Sequence, residues 1–180
     1  MDGSHTPVPV TLEQMLAARE ERVRSQQAAL AAHGLPLLSL TLVAPGPVKD
    51  SAALREVFCV ALARLEALCR ERGWRVAACR AWRQVTGCEA LLAIDADAVQ
   101  LKRAAVALED THALGRLWDL DVLGLDGRSL SRTALGLAPR RCLVCDEAAH
   151  ACARSRAHPL EQLQAAIARL LENHRHAAVC

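Results

Sequence analysis

The chain has 180 residues, 52% of them hydrophobic, enough to bury the core of one domain with elaborations. Its 22 basic and 20 acidic residues leave a formal charge of +2, too weak a field for non-specific nucleic-acid binding, and one Phe, three Trp and no Tyr supply few rings for base stacking. The start, Met1-Asp2-Gly3-Ser4-His5, lacks the basic and apolar stretches of an export signal, and the longest uncharged run, Ser25 to Val48, is broken by Gln26, Gln27, His33, Gly34 and Pro36, so it does not read as a bilayer span. A soluble cytoplasmic protein is expected, with neither nucleic acid nor membrane as partner. Eight cysteines in such a chain point to reduced thiols and a metal site rather than to a disulfide framework.

In chain order, Leu12, Met15, Leu16, Val23, Ala28 and Leu30 recur at helical spacing, with Thr11 and Gln14 placed as a capping box and Gly34 as a stop, so a helix is expected over 11–34. Leu38, Leu40 and Leu42 then alternate with Ser39 and Thr41, the period of a half-buried strand. Pro45-Gly46-Pro47 ends it, and Asp50 or Ser51 caps a second helix running to about Arg72, closed by Gly73. Residues 74–83 and 88–94 read as two strands joined at Thr86-Gly87. Asp97 and Gln100 open a helix to about Thr111, and 115–124 alternates as a fourth strand.

Strand, helix, strand, strand, helix, strand is the split unit of a ferredoxin-like fold, so the expected class is α+β, a βαββαβ antiparallel sheet with helices added at both ends. One domain then spans 1–180. It holds the first helix at 11–34, the core at 37–124, a polar connector with a cysteine cluster at 125–158, and a last helix at 159–173 opened by Pro159. Sheet order 4-1-3-2 brings Pro45 to Lys49, Gly87-Cys88-Glu89 and Gly115 to Asp119 to one end of the sheet. Alternation puts Asp119 and Asp121 on one face with Ser39 and Thr41, an open face, while Trp118, Leu120 and Val122 turn to the helices.

Two carboxylates at i and i+2 on a strand converge on one point, and Asp119 and Asp121 are therefore candidate ligands for Mg2+, an ion that bridges substrate phosphates. Solvated aspartates on an open face would read the same way. Gly46 permits close backbone approach, and Lys49 stands at the mouth of a helix whose amides attract anions. Arg116 adds a second cation. Glu89 is directed to the same rim as a ligand or base, or as a plain exposed carboxylate. Cys142-x2-Cys145-x6-Cys152, with His158 and His150 nearby, offers a Cys3His set for a structural Zn2+; small buried thiols are the alternative.

The segments Val10-Thr11-Leu12-Glu13-Gln14-Met15-Leu16, Pro45-Gly46-Pro47-Val48-Lys49, Thr86-Gly87-Cys88-Glu89-Ala90-Leu91 and Gly115-Arg116-Leu117-Trp118-Asp119-Leu120-Asp121-Val122 resemble the citrate lyase holo-acyl-carrier-protein synthase family. The resemblance continues through Leu130-Ser131-Arg132, Pro139-Arg140-Arg141-Cys142-Leu143-Val144-Cys145 and Cys152-Ala153-Arg154-Ser155-Arg156, covering about residues 10 to 172. Cys88 departs from it, standing where proline is expected in many relatives. The resemblance implies a nucleotidyltransferase that attaches 2'-(5''-triphosphoribosyl)-3'-dephospho-CoA to a serine of the apo acyl carrier protein subunit of citrate lyase and releases pyrophosphate. On chemistry, Asp119 and Asp121 would hold Mg2+ on the donor, Lys49 and Arg116 would stabilise phosphoryl charge, and Glu89 would orient or deprotonate the serine. Two rivals stand beside this: a non-enzymatic zinc-stabilised docking module for a lyase subunit, and the same chemistry on a related carrier such as that of a malonate decarboxylase.

Overall fold

The computed structural model describes residues 8–177. Its elements are α1 (Leu12–His33), β1 (Leu37–Leu42), α2 (Ala52–Arg72), β2 (Arg75–Gln84), β3 (Gly87–Asp95), α3 (Ala98–Thr111), β4 (Trp118–Leu123), α4 (Ala149–Ser155) and α5 (Leu160–Ala177). The expected signals act where they stand. Thr11 and Gln14 close a capping box, Ser51 rather than Asp50 caps α2, Asp97 caps α3, and Gly34 and Gly73 end their helices in the left-handed conformation.

The four strands form one antiparallel sheet in the order β2-β3-β1-β4, the order expected from the sequence. One face carries Leu38, Leu40, Ala90, Leu92, Ile94, Trp118, Leu120 and Val122 against Val57, Phe58, Ala61 and Leu65 of α2 and Leu101, Ala105 and Leu108 of α3. Burying these side chains supplies the main stabilisation, about 1.5–3 kcal/mol for each large aliphatic or aromatic group.

The other face is not open. Leu37, Leu91, Ala93 and Leu123 form a second apolar cluster there, under Ala29 and Leu30 of α1. The register grades this face along its length: Leu37 lies opposite Ala93 and Leu123, Ser39 opposite Leu91 and Asp121, and Thr41 opposite Asp119. The apolar end takes the helix, and the polar end faces a pocket. Only the last part of α1 packs in this way. The helix has no buried residue, and Leu12, Leu16 and Val23 are exposed.

Residues 115–117 form a 3-10 turn instead of extending the fourth strand. A Cβ on Gly115 would lie 2.3 Å from the Leu108 carbonyl oxygen and 2.6 Å from that of Glu109, so the chain doubles back tightly against the end of α3. Two further differences lie downstream. The cysteine segment contains the seven-residue α4, which the connector did not announce, and α5 continues past residue 173 to Ala177.

Among the described residues no further strand lies along the outer edge of β4 beyond an isolated bridge from Leu123 to Ser129, and side chains complete it. The Leu120 amide donates to Glu109 Oε1 at 2.8 Å and its carbonyl accepts from Lys102 Nζ at 2.9 Å; Arg140 Nη2 donates to the Trp118 carbonyl and the Leu130 amide to the Val122 carbonyl. Lys102 and Glu109 are buried because they serve this edge.

Candidate active site

Asp119 and Asp121 project from the same face of β4, as the alternation requires, and both are about half-exposed. Asp119 accepts from Arg140 Nη1 at 3.2 Å and from the Thr41 hydroxyl at 3.5 Å. Asp121 accepts from Ser129 at 3.4 Å and stands 3.8 Å from Lys102 Nζ. Desolvation, and then the charge of Asp119, push the Asp121 carboxyl above its ordinary range, against the opposing pull of Lys102, Ser129 and Arg22.

Asp119 sits between two cavities. The smaller, about 220 Å3, is lined on one side by Met15, Arg19 and Arg22 of α1 and on the other by Thr41, Lys49, Gly87, Glu89 and Asp119. The three segments expected to meet at one end of the sheet thus do so. Lys49 Nζ donates to the Ala44 carbonyl, and burial, followed by repulsion from Arg19, lowers its pKa. Glu89 differs from the exposed strand-end carboxylate that its position alone suggested. It is buried, and both its oxygens accept from Arg22, at 2.7 Å each. The N-terminus of α2 is served by Ser51, beside an Asp50 carboxylate paired with Arg55.

The larger cavity, about 870 Å3, is a groove on the far side of Asp119. Arg116, Arg140, Arg141 and Arg156 give it a cationic wall, while Val43, Pro45, Leu143, Leu160 and Leu163 line an apolar stretch. Arg140 Nη2 also donates to the Arg116 carbonyl at 2.7 Å, and Arg116 Nη2 donates to the carbonyls of Arg141 and Cys142. Gly46 lines the groove, but its close approach is to the protein itself: with φ +87°, it would carry a Cβ 3.2 Å from the methyls of Leu160.

One wall of this groove is the cysteine segment. Among the described residues, Cys142, Cys145, Cys152 and His158 place one ligand atom each within 4.8 Å of one another, and together they could hold a metal ion; His150 is not among them. The Cys145 sulfur lies 3.6 Å from that of Cys152 and 3.2 Å from His158 Nε2. Ligands about 2.3 Å from a tetrahedral ion stand roughly 3.7 Å apart, so the spacing suits such a site. Burial raises the Cys142 thiol, but the amides of Val144 and Cys145 and the neighbouring thiols outweigh it and bring the group down to about 7.

A family model for apo-citrate lyase phosphoribosyl-dephospho-CoA transferase matches residues 10–174. The chain belongs to that family. Proteins of that name from Escherichia coli O1:K1 and Shigella flexneri serotype 5b are each 44% identical to it over 154 residues, covering 86% of this chain and 84% of theirs. The protein of the same name from Shigella boydii serotype 18 aligns to the same extent.

Arg140 and Arg22 line the two cavities without standing out in the sequence. All but two of the 22 basic residues are arginines, so neither stands out by type. Arg140 gave one signal, its place in Pro139-Arg140-Arg141-Cys142 next to the metal-spaced cysteines. Arg22 gave none, because its partner Glu89 is 67 residues away.

Proposed function

We propose that this protein is the transferase that joins 2'-(5''-triphosphoribosyl)-3'-dephospho-CoA to a serine of the apo acyl carrier subunit of citrate lyase. The observation that carries the reading is the position of Asp119 between an arginine-walled groove large enough for a coenzyme and a small pocket that admits a side chain. Family membership favours it over a zinc-stabilised docking module. The strand order, with α2 and α3 on one face, supports describing the core as ferredoxin-like within a single domain. The free thiols among the described residues suit the cytoplasm.

Release of pyrophosphate fixes the connectivity. The serine Oγ attacks the phosphorus attached to the ribose, a new P–O bond forms, and the bond from that phosphorus to the oxygen linking it to the two outer phosphates breaks. The electron pair leaves with pyrophosphate and the serine proton passes to solvent. A loose transition state asks for little help from a base and much charge stabilisation. Arg116 and Arg140 supply it from the groove and Lys49 from the pocket; Asp119 and Asp121 would hold Mg2+, which would add further charge neutralisation there. Because Arg22 engages both oxygens of Glu89, the role that suits this carboxylate is orienting the pocket.

The test is intact mass spectrometry of apo carrier protein incubated with this protein, magnesium and the donor. The expected result is a prosthetic-group mass increment that is lost with Asp119→Asn. No increment with a folded enzyme and intact donor would overturn the reading.

A further inference from the structure

Apolar anchorage of the segment between β4 and α5 is sparse: Leu143, partly buried, is its packed contact with the main core. From Gly124 to Leu160, Cys142 is the only buried residue. Helix α4 has no buried residue and no side-chain cap. Short backbone bonds tie the segment to itself: Cys142 N to Glu147 O at 2.7 Å, Ala149 N to Arg140 O at 2.7 Å, and Ala157 N to Cys152 O at 3.1 Å. On the sheet side Arg132 pairs with Glu109 and Asp110 and the Leu130 amide donates to the Val122 carbonyl, but these anchors all precede Arg140; from Arg141 to Pro159 the chain relies on Leu143 and on such backbone bonds, whose net worth in water is small.

Two of the groove's arginines nevertheless depend on this segment. Arg140 enters it directly, and its carbonyl is the acceptor for the first residue of α4. Arg116 comes from the sheet side, but its guanidinium is held by the carbonyls of Arg141 and Cys142. Cys142, Cys152 and His158, three of the four candidate ligands, line the same groove as these arginines.

We propose that one Zn2+, held by Cys142, Cys145, Cys152 and His158, is the element that positions Arg140 and Arg116 on the groove, so that metal loading sets affinity for the phosphate-bearing donor. Four protein ligands close the coordination shell, which makes the ion a fastener with no place for a reacting water. Three thiolates and one imidazole favour zinc over an oxygen-seeking cation. The metal acts through the backbone: it fixes the Cys142 carbonyl, the carbonyl holds Arg116, and the same short loop carries Arg140 to Asp119. The assignment of the groove to the donor rests on the function proposed above. The metal and its effect on the loop do not.

Elemental analysis of the purified full-length protein is expected to give about one zinc per chain, and cobalt exchange the visible bands of a tetrahedral thiolate site. Stripping the wild-type protein with a chelator should accelerate amide hydrogen exchange at Cys142, Ala149 and Ala157 while leaving β1 and β3 protected. By calorimetry, donor binding without carrier should weaken by about tenfold or more, the scale of two loosened charge-assisted contacts, and recover when zinc is restored. Cys145→Ser should reproduce the stripped state. A protein that takes up no zinc or cobalt, or one whose loop exchange and donor affinity are unchanged by stripping, would overturn the proposal. Zinc-dependent loop protection in a fully loaded protein that binds no donor would instead overturn the assignment of the groove.

Discussion

Alternate residues of β4 inhabit two different environments about 3.3 Å apart along one strand. Trp118, Leu120 and Val122 are essentially inaccessible and are packed among α2, α3 and the rest of the sheet. Asp119 and Asp121 face water, arginine and each other. The first set holds the molecule together and has no reach to a ligand. The second has reach, and its charges work against compaction. A period of two lets one six-residue strand perform both tasks, and the two should separate under mutation.

Trp118→Ala is the harshest test of the buried set, because it also removes the ring on which His112 stacks at 4.3 Å. A loss of about 3–5 kcal/mol is expected by denaturant titration, with activity per folded molecule retained under stabilising conditions. Asp119→Asn should do the reverse. Carrier modification should fall to about a thousandth or below, some 4 kcal/mol of transition-state stabilisation, with an unaltered thermal midpoint. If either variant lost both properties together, the division between the faces would fail.

Smaller effects sharpen the comparison. Arg140→Lys keeps the charge but cannot bond Asp119 and two carbonyls at once, so single-turnover rates should drop about ten- to a hundredfold. Asp121→Asn should show the cost of the exposed face directly. Its folded-state pKa is raised, so the wild-type carboxyl contributes most favourably below the unfolded value of 3.8, and that contribution is lost as pH rises through the folded value. At pH 7 the asparagine variant should therefore melt about a degree or two higher, and at pH 3 the two proteins should melt together.

Much of this was legible in the chain because the signals were local. Thr11 with Gln14, Gly34, Ser51 and Asp97 each act within three or four residues, and the alternation of β1 and β4 fixed which side chains face Asp119. What could not be read were contacts between distant residues of common type. The Arg22–Glu89 pair spans 67 residues, and Arg140 reaches back 21 to Asp119. Helix α1 stands where its periodicity and caps put it, but the sheet offers an apolar seat only at the Leu37 end, so Leu12 and Leu16 remain in solvent. The 3-10 turn at 115–117 is not legible locally, because glycine in an alternating run looks like strand unless α3 presses on it.

The side-chain seal on the outer edge of β4 has a consequence for solubility. A bare strand edge is a template for another strand, from a neighbouring copy or from a partly unfolded chain. Here Lys102, Glu109 and Arg140 occupy its hydrogen-bonding positions, and their charges repel any apolar strand that approaches. The guanidinium that reaches towards Asp119 is thus also a guard against edge-to-edge assembly, and a chain deprived of it would have to be kept dilute to stay in solution.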